Sequence, residues 1–329
     1  MCASSAAGPF RGEVWFPNSC RTAAYGSALP HRTAMGPPIT AATALVGVLG
    51  DPVRHSLSPV MHNAALAALG LDWVYLALPA PAGQLAAVTE GLAAVGCRGL
   101  NVTIPHKQAV AELCRELCPL AARLGAVNTL VPHAEGGWLG TNTDVEGFLA
   151  PLRADAPADW SQRQAVVLGC GGSARAVVAA LVELGVGSIA VAARRREAVT
   201  AFVAGCRGWA PQLQALEWPQ LDGVLAGAAL VVNTTPVGMA AAGDAGAAER
   251  CPLSAGQLDR LTAGATVYDL IYTPRPTALL RAAGARGCRG LDGLEMLVQQ
   301  GAASLRLWSG LSEVPVQAMR AAATAALAG

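Results

Sequence analysis

Ala165-Val-Val-Leu-Gly169-Cys-Gly171-Gly-Ser-Ala174 is the stretch that decides the fold. Four apolar residues make a short buried strand, and the glycines that follow turn the chain into a helix. Gly169, Gly171 and Ala174 have the G-x-G-x-x-G/A spacing in that strand-to-helix context. The first glycine allows the tight turn. The second lets a pyrophosphate approach the backbone, and the free N–H groups of the helix N-terminus then face the anion. Gly169, Gly171 and Ala174 are therefore candidate contacts for a dinucleotide. A plain tight turn is the competing reading, and the flanking strand and helix favour the dinucleotide.

The next strand selects between dinucleotides. A site for NAD places Asp or Glu at its end, where the carboxylate bonds the ribose hydroxyls. Here the strand ends Ala192-Ala193-Arg194-Arg195-Arg196, and the first acid is Glu197. Guanidinium groups pair a 2′-phosphate, whereas a carboxylate repels it. Arg194 and Arg195 thus point to NADP, with a solvated basic loop as the alternative.

Outward from this unit, strands and helices alternate. Upstream, apolar runs predict strands over 43–50, 73–78, 99–104 and 126–131. Helices are expected from about Pro59, with Ser58 as N-cap, and over 84–95 and 107–118. Downstream strands are expected over 165–168, 188–192, 230–233 and 266–270, and helices over 294–308 and 316–327. The Ala/Gly-rich stretch 240–249 reads as a flexible loop. Such alternation implies an α/β fold on mainly parallel sheets.

The chain has 329 residues, enough for two domains. A formal net charge of +1 gives no electrostatic case for nucleic acid or an acidic partner. Only 14% of residues are charged and 53% are apolar, but alanine supplies much of the apolar share, and no run is long enough to span a membrane. The nine cysteines are odd in number and form no Cys-x-x-Cys pair. Cys114 and Cys118 have no third ligand close in sequence, so no metal site is expected. Reduced thiols point to the cytoplasm. Residues 1–42 hold one acid and no sustained period. They read as a disordered tail or as sequence upstream of a true start at Met35, and an organellar transit peptide stays open.

A second group of residues suits proton chemistry. Asn101-Val-Thr-Ile-Pro-His-Lys107 and Asn142-Thr-Asp144 put a lysine, a carboxylate and amide and hydroxyl groups beside strand ends. A lysine is a poor base at neutral pH unless burial and a carboxylate tune it. Asp144 is the natural partner of Lys107. An exposed lysine and a helix-capping Thr143 or Asp144 are the plain alternatives. Ser56 and Ser58, Asn101 and Thr103, and Asn128 add uncharged groups of the type that binds a small polyol.

These motifs together resemble the shikimate/quinate dehydrogenase family. The resemblance spans about residues 44–325. It is carried by His55-Ser-Leu-Ser-Pro59 with His62-Asn63, by Asn101 to Lys107, by Gly125-Ala-Val-Asn-Thr129, by Asn142-Thr-Asp144 and by Gly169-x-Gly-Gly172. Asn233-Thr-Thr-Pro-Val-Gly-Met239 and Asp292-Gly-Leu-Glu-Met-Leu-Val-Gln-Gln-Gly301 complete the set. It implies reversible reduction of 3-dehydroshikimate to shikimate by NADPH, on the way to chorismate and the aromatic amino acids. It implies two domains: an open α/β substrate domain over 43–143 plus 293–329, completed by the C-terminal helices, and a Rossmann NADP-binding domain over 144–292. Lys107 is then the catalytic lysine and Asp144 its partner. Ser56, Ser58 and Tyr272 hold the substrate carboxylate, while Asn101, Thr103, Asn128, Asp144 and Gln300 meet the ring hydroxyls or carboxylate. Thr234, Met239, Ile271 and Gly293 join the glycine turn, with Cys170, Gly172 and Ser173 as further contacts in it, and the arginines around the cofactor. Ala193 departs from the family, which often has asparagine there. Broader use of quinate, a non-catalytic ligand-binding role and a homodimer all stay open. Quinate users tend to lose one of the paired serines, and this chain keeps both.

Overall fold

The protein is described by a computed structural model over residues 38–154, 159–240 and 244–328. The readings of residues 1–37, and of 241–243 within the expected loop, lie outside the described residues. Strands β1 (Ala44–Gly50), β2 (Trp73–Pro79), β3 (Gly99–Val102), β4 (Glu116–Leu117), β5 (Thr129–Pro132) and β6 (Trp138–Thr141) form one sheet, in the order β2-β1-β3-β5-β6-β4. Strands β7 (Gln164–Leu168), β8 (Ser188–Ala193), β9 (Leu213–Glu217), β10 (Ala228–Asn233), β11 (Thr266–Asp269) and β12 (Arg289–Leu291) form a second, in the order β12-β11-β10-β7-β8-β9.

The second sheet is wholly parallel, as the alternation of elements predicts. Its order reverses between β7 and β10. A crevice opens at such a point beyond the carboxyl ends of the strands. The first sheet is mixed, which corrects the expectation of mainly parallel pairing there. β1 runs parallel to β2 and β3, but β5 is antiparallel to both β3 and β6. Only residues 133–137 join β5 to β6, too few for a parallel crossover. Gly136 and Gly137, at φ 86° and 74°, make that turn.

Two local expectations are also corrected. Residues 107–118 do not form one helix: a 3-10 turn covers Ala109–Leu113, and β4 follows. The N–H groups of Arg115 and Cys118 bond the carbonyls of Trp138 and Gly140, at 2.9 Å each. Pairing with β6 thereby outweighs local helical spacing. Ser58 is not an N-cap but the first residue of the helix Ser58–Leu69, with Leu57 at the cap position. Instead, Ser56 Oγ accepts the Ser58 N–H at 3.2 Å.

Helices cover both sheets. Met61, Ala65 and Leu66 of the first helix pack with Leu294, Val298, Ala302, Leu305 and Trp308 of the helix Gly293–Ser309, and with Met319 and Ala323 of Val316–Ala328. All lie on one face of the first sheet, against Val46, Val48 and Tyr75. Leu49, Leu100, Val102, Leu130 and Trp138 build the core on the other face. The helix Asp144–Ala154 contributes Phe148, Leu149 and Leu152 to the core of the second sheet, together with Val177, Val178 and Leu181 of the helix Gly172–Glu183. Gly147 sits where Asp144–Ala154 meets Gly293–Ser309: a Cβ there would lie 2.7 Å from both Gln300 Cβ and the Met296 carbonyl oxygen. The helix Gly293–Ser309 therefore lies directly against the helix that Asp144 begins.

Candidate active site

A cleft of about 970 Å³ opens at the reversal point of the second sheet. Its walls include Gly169–Ser173 from the turn after β7, Arg194 and Arg195 from the end of β8, and Thr234 from the end of β10. Gly169 has φ 107°, and a Cβ on it would come within 2.6 Å of Thr234 Oγ1. The Thr234 hydroxyl donates to the Leu168 carbonyl at 2.8 Å, which locks the two strand ends together. A Cβ on Gly171 would meet nothing within 4 Å, so its backbone is open to a ligand. Ala174 is buried in the first turn of the helix. Arg194 and Arg195 are exposed on the cleft wall, where their guanidinium groups can reach a phosphate. This donor set fits a phosphorylated dinucleotide: open backbone and a helix N-terminus for the pyrophosphate, guanidinium groups for a 2′-phosphate.

Met239 is 41% exposed beyond β10. Ile271 and Gly293 come together through the bond from Gly293 N–H to the Ile271 carbonyl at 3.1 Å. Trp218, which the sequence reading missed, lines the cleft with the arginines. It follows β9, a strand too polar at its exposed edge to be read from its pattern.

Lys107 faces the same cleft. Its backbone is fixed from two sides. Val127 N–H donates to the Lys107 carbonyl at 2.7 Å, and His106, buried beneath the loop, contacts the Ala80 carbonyl through Nε2 at 2.6 Å. Lys107 Nζ donates to Asp144 Oδ2 at 2.5 Å. The two side chains are only 14% and 5% exposed, so the pair is largely withdrawn from solvent. Asp144 begins its helix with its N–H held by Asn142 Oδ1 at 3.0 Å. Thr143 precedes that helix, yet its hydroxyl turns inward to Asn128, so neither Thr143 nor Asp144 serves as the side-chain cap.

Asn128 completes the pair. Its Nδ2 donates to Asp144 Oδ1 at 2.8 Å and to Gln300 Oε1 at 3.2 Å. Its Oδ1 accepts the Thr143 N–H at 2.7 Å, which fixes the amide the right way round. Asn101 is 5% exposed, and both ends of its amide meet protein groups. Oδ1 accepts from the Tyr75 hydroxyl at 2.8 Å, and Nδ2 donates to Ser304 Oγ at 2.8 Å. Thr103 sits half-buried at the end of β3, with its N–H on the Leu49 carbonyl at 2.9 Å.

Ser56, Ser58 and Tyr272 form a separate group. Tyr272 contacts the backbone of Leu57 between the two serines, and its burial raises the phenol. Ser58 in turn contacts Tyr75, whose hydroxyl burial also raises. Tyr75 thus links this group to Asn101. Among the described residues no cluster of three His, Cys, Asp or Glu side chains is placed to hold a metal ion. Nor is any helix there long and apolar enough to cross a membrane.

A lysine–carboxylate pair on the wall of a cleft that fits a phosphorylated dinucleotide is the arrangement of an oxidoreductase that uses a nicotinamide cofactor. Comparison with known proteins narrows the class. Residues 48–130 match the shikimate dehydrogenase substrate binding domain, and residues 293–324 match the shikimate 5'-dehydrogenase C-terminal domain. The shikimate dehydrogenase (NADP(+)) of Synechococcus sp. (strain JA-3-3Ab) is 50% identical over 293 residues, covering 88% of this chain and 96% of that protein. A crystal structure of a shikimate dehydrogenase in complex with NADP+ superposes with a TM-score of 0.80 at 32% identity, covering 90% of this chain and 99% of that one. Shikimate 5-dehydrogenase from Thermus thermophilus, in complex with NADP(H) and shikimate, superposes with a TM-score of 0.75 at 36% identity, covering 86% of this chain and 100% of that one. The chain belongs to the shikimate dehydrogenase family.

Proposed function

We propose that this protein catalyses the reversible NADP-dependent interconversion of 3-dehydroshikimate and shikimate. One observation carries the reading. Lys107, bonded to Asp144 at 2.5 Å, shares a cleft with the glycine turn and the paired arginines. Proton transfer and hydride transfer therefore have one location. Bound NADPH supplies the hydride that reduces the C3 carbonyl. Lys107 gives its proton to the oxygen at C3, and takes it back in the reverse direction. Asp144 holds the lysine through one carboxylate oxygen and is itself held by Asn128 through the other. The low exposure of both side chains strengthens this contact, since water does not screen it.

The resemblance to the family supports the remaining roles. Ser56, Ser58 and Tyr272 bind the carboxylate of the substrate. Thr103, Asn128, Asp144 and Gln300 meet its hydroxyls, and Asn101 acts from beneath through its buried partners. Gly169–Ser173, Arg194, Arg195 and Thr234 hold the cofactor, with Ala174, Met239, Ile271 and Gly293 around it. Residues 43–143 with 293–329 make the substrate domain, and 144–292 the NADP domain. The free thiols of Cys97, Cys206 and Cys288, all buried, suit a cytoplasmic protein.

The test is a matrix of shikimate and quinate against NADP and NAD, followed by absorbance of the reduced cofactor. The expected result is fast reduction of NADP with shikimate. Turnover of quinate at a comparable rate favours the broader dehydrogenase, and no turnover in any cell of the matrix refutes the assignment.

A further inference from the structure

Ser304 lies one turn beyond Gln300 on the helix Gly293–Ser309 and is fully buried. Four polar atoms surround its Oγ: Asn101 Nδ2 at 2.8 Å, Thr129 Oγ1 at 2.8 Å, Thr143 Oγ1 at 3.2 Å and the Gln300 carbonyl at 3.0 Å. The Gln300 carbonyl can only accept, so it takes the serine proton. The serine oxygen is then left to accept from the Asn101 amide and a threonine hydroxyl. Asn101 has no freedom to turn around, because its Nδ2 also donates to the Asn128 carbonyl at 3.3 Å and its Oδ1 accepts from Tyr75 at 2.8 Å.

The strand register explains why these groups meet. Asn101 and Thr129 are directly opposed in the antiparallel pair of β3 and β5, so their side chains share one face. The helix Gly293–Ser309 crosses that face and drops Ser304 between them. From this hub, Thr143 Oγ1 gives its one proton to Ser304 Oγ and accepts from Asn128 Nδ2 at 2.9 Å, while Thr129 Oγ1 gives its proton to Asn128 Oδ1 at 2.9 Å. Asn128 Nδ2 holds Asp144, and Asp144 holds Lys107. An unbroken run of hydrogen bonds thus joins a helix near the end of the chain to the lysine that faces the cofactor cleft.

We propose that Ser304 is a positioning residue for proton transfer. It sets the Asn128 amide, and through it the Asp144 carboxylate, against Lys107. The inference rests on the reading of Lys107 and Asp144 as the proton-transfer pair. Ser304 touches neither substrate nor cofactor, and its effect passes through Asn128.

Ser304→Ala tests this, with Thr129→Val as a second variant that removes another hydroxyl of the hub while keeping its volume. In folded enzyme, Ser304→Ala is expected to lower kcat about 10- to 100-fold, the cost of misplacing a catalytic group by up to an ångström, with KM for NADP unchanged. In an Asn128→Ala background the same substitution is expected to cost less than about twofold, because its route is already cut. A second readout needs no turnover: the rate of Lys107 acetylation by acetic anhydride at one fixed pH, followed by mass spectrometry. Acetylation is expected to be faster in Ser304→Ala, as the amine loses its well-placed carboxylate. Unchanged kcat and unchanged acetylation in a folded variant overturn the proposal, as do equal losses in both backgrounds. If Ser304→Ala does not fold, the same outcomes are read in Thr129→Val. A changed acetylation rate in an enzyme that never oxidises shikimate would overturn the assigned reaction and leave the positioning role standing.

Discussion

Lys107 Nζ lies 2.5 Å from Asp144 Oδ2, while the other oxygen of the same carboxylate takes the Asn128 amide at 2.8 Å. The carboxylate is thus held at both ends, and the lysine is offered one fixed partner on the wall of the cofactor cleft. Lys107→Ala is expected to lower kcat by ~10²–10⁴-fold, the usual contribution of a positioned acid or base, with shikimate affinity largely kept. Steady-state kinetics and equilibrium binding measured side by side check this. A variant that retains about half of the native kcat rules out the role.

Arg194 and Arg195 are exposed at the edge of the cleft and follow the second strand of the cofactor sheet. Replacing both by alanine is expected to weaken NADP far more than NAD. Charge-assisted hydrogen bonds are worth ~1.5–3 kcal/mol each, so one lost bond corresponds to about 10- to 100-fold in selectivity. Cofactor titration by fluorescence measures both affinities. Equal losses for the two cofactors would identify the arginines as surface charge only.

Ser56, not Ser58, supports the start of the first helix with its side chain. Ser56 Oγ receives the Ser58 N–H, and Leu57 occupies the cap position. Ser56→Ala is therefore expected to cost ~1 kcal/mol of stability, the scale of one local hydrogen bond. Both Ser56→Ala and Ser58→Ala are expected to raise KM for shikimate and largely spare kcat, since a carboxylate contact is similar in ground and transition states. Thermal melts and kinetics on each variant separate the effects. Unaltered KM in both would move the carboxylate elsewhere.

His62 and Asp269 are buried ionisable groups whose pH effects oppose each other. Burial pushes the His62 imidazole from 6.5 down to about 4. Below pH 6.5 the unfolded chain binds a proton that the folded one refuses, so this stabilisation is complete above pH 6.5 and lost toward pH 4, by up to about 3 kcal/mol. Burial pushes Asp269 from 3.8 up to about 6, against hydrogen bonds from Thr277, Ile271 and Asn233. Here the folded state holds the proton more tightly, so the contribution is complete below pH 3.8 and lost as pH rises to 6. It is of similar size, about 3 kcal/mol. Stability measured by urea denaturation at about pH 4 to 7.5 is expected to fall more steeply on acidification in Asp269→Asn than in the native protein, and less steeply in His62→Gln. Three parallel curves would show that neither group titrates as its burial demands.

Much of the site is legible before folding because its chemistry is local. The glycine turn needs only a strand, two glycines and a helix within about ten residues. The arginines need only the end of the next strand. Lys107 and Asp144 are also readable as types, and the family resemblance pairs them. Other features leave no local mark. Residues 115–118 have helical spacing but pair with β6, a strand too short to announce itself. Ser304 sits in an apolar helical run, where a small hydroxyl residue on the buried face is the one faint signal.

By itself the sequence determined the α/β class, the dinucleotide turn, the preference for a 2′-phosphate and the residues able to move a proton. These depend on backbone sterics, helix-end geometry and charge within short windows. Only the tertiary structure decided which buried groups hold Asp144 against Lys107. Asn101 and Ser304 are 203 residues apart, yet their side chains meet at 2.8 Å. That contact exists because antiparallel register puts Asn101 beside Thr129 and the helix Gly293–Ser309 crosses the same face. A buried amide or hydroxyl must find a partner, but which partner it finds depends on how distant segments pack.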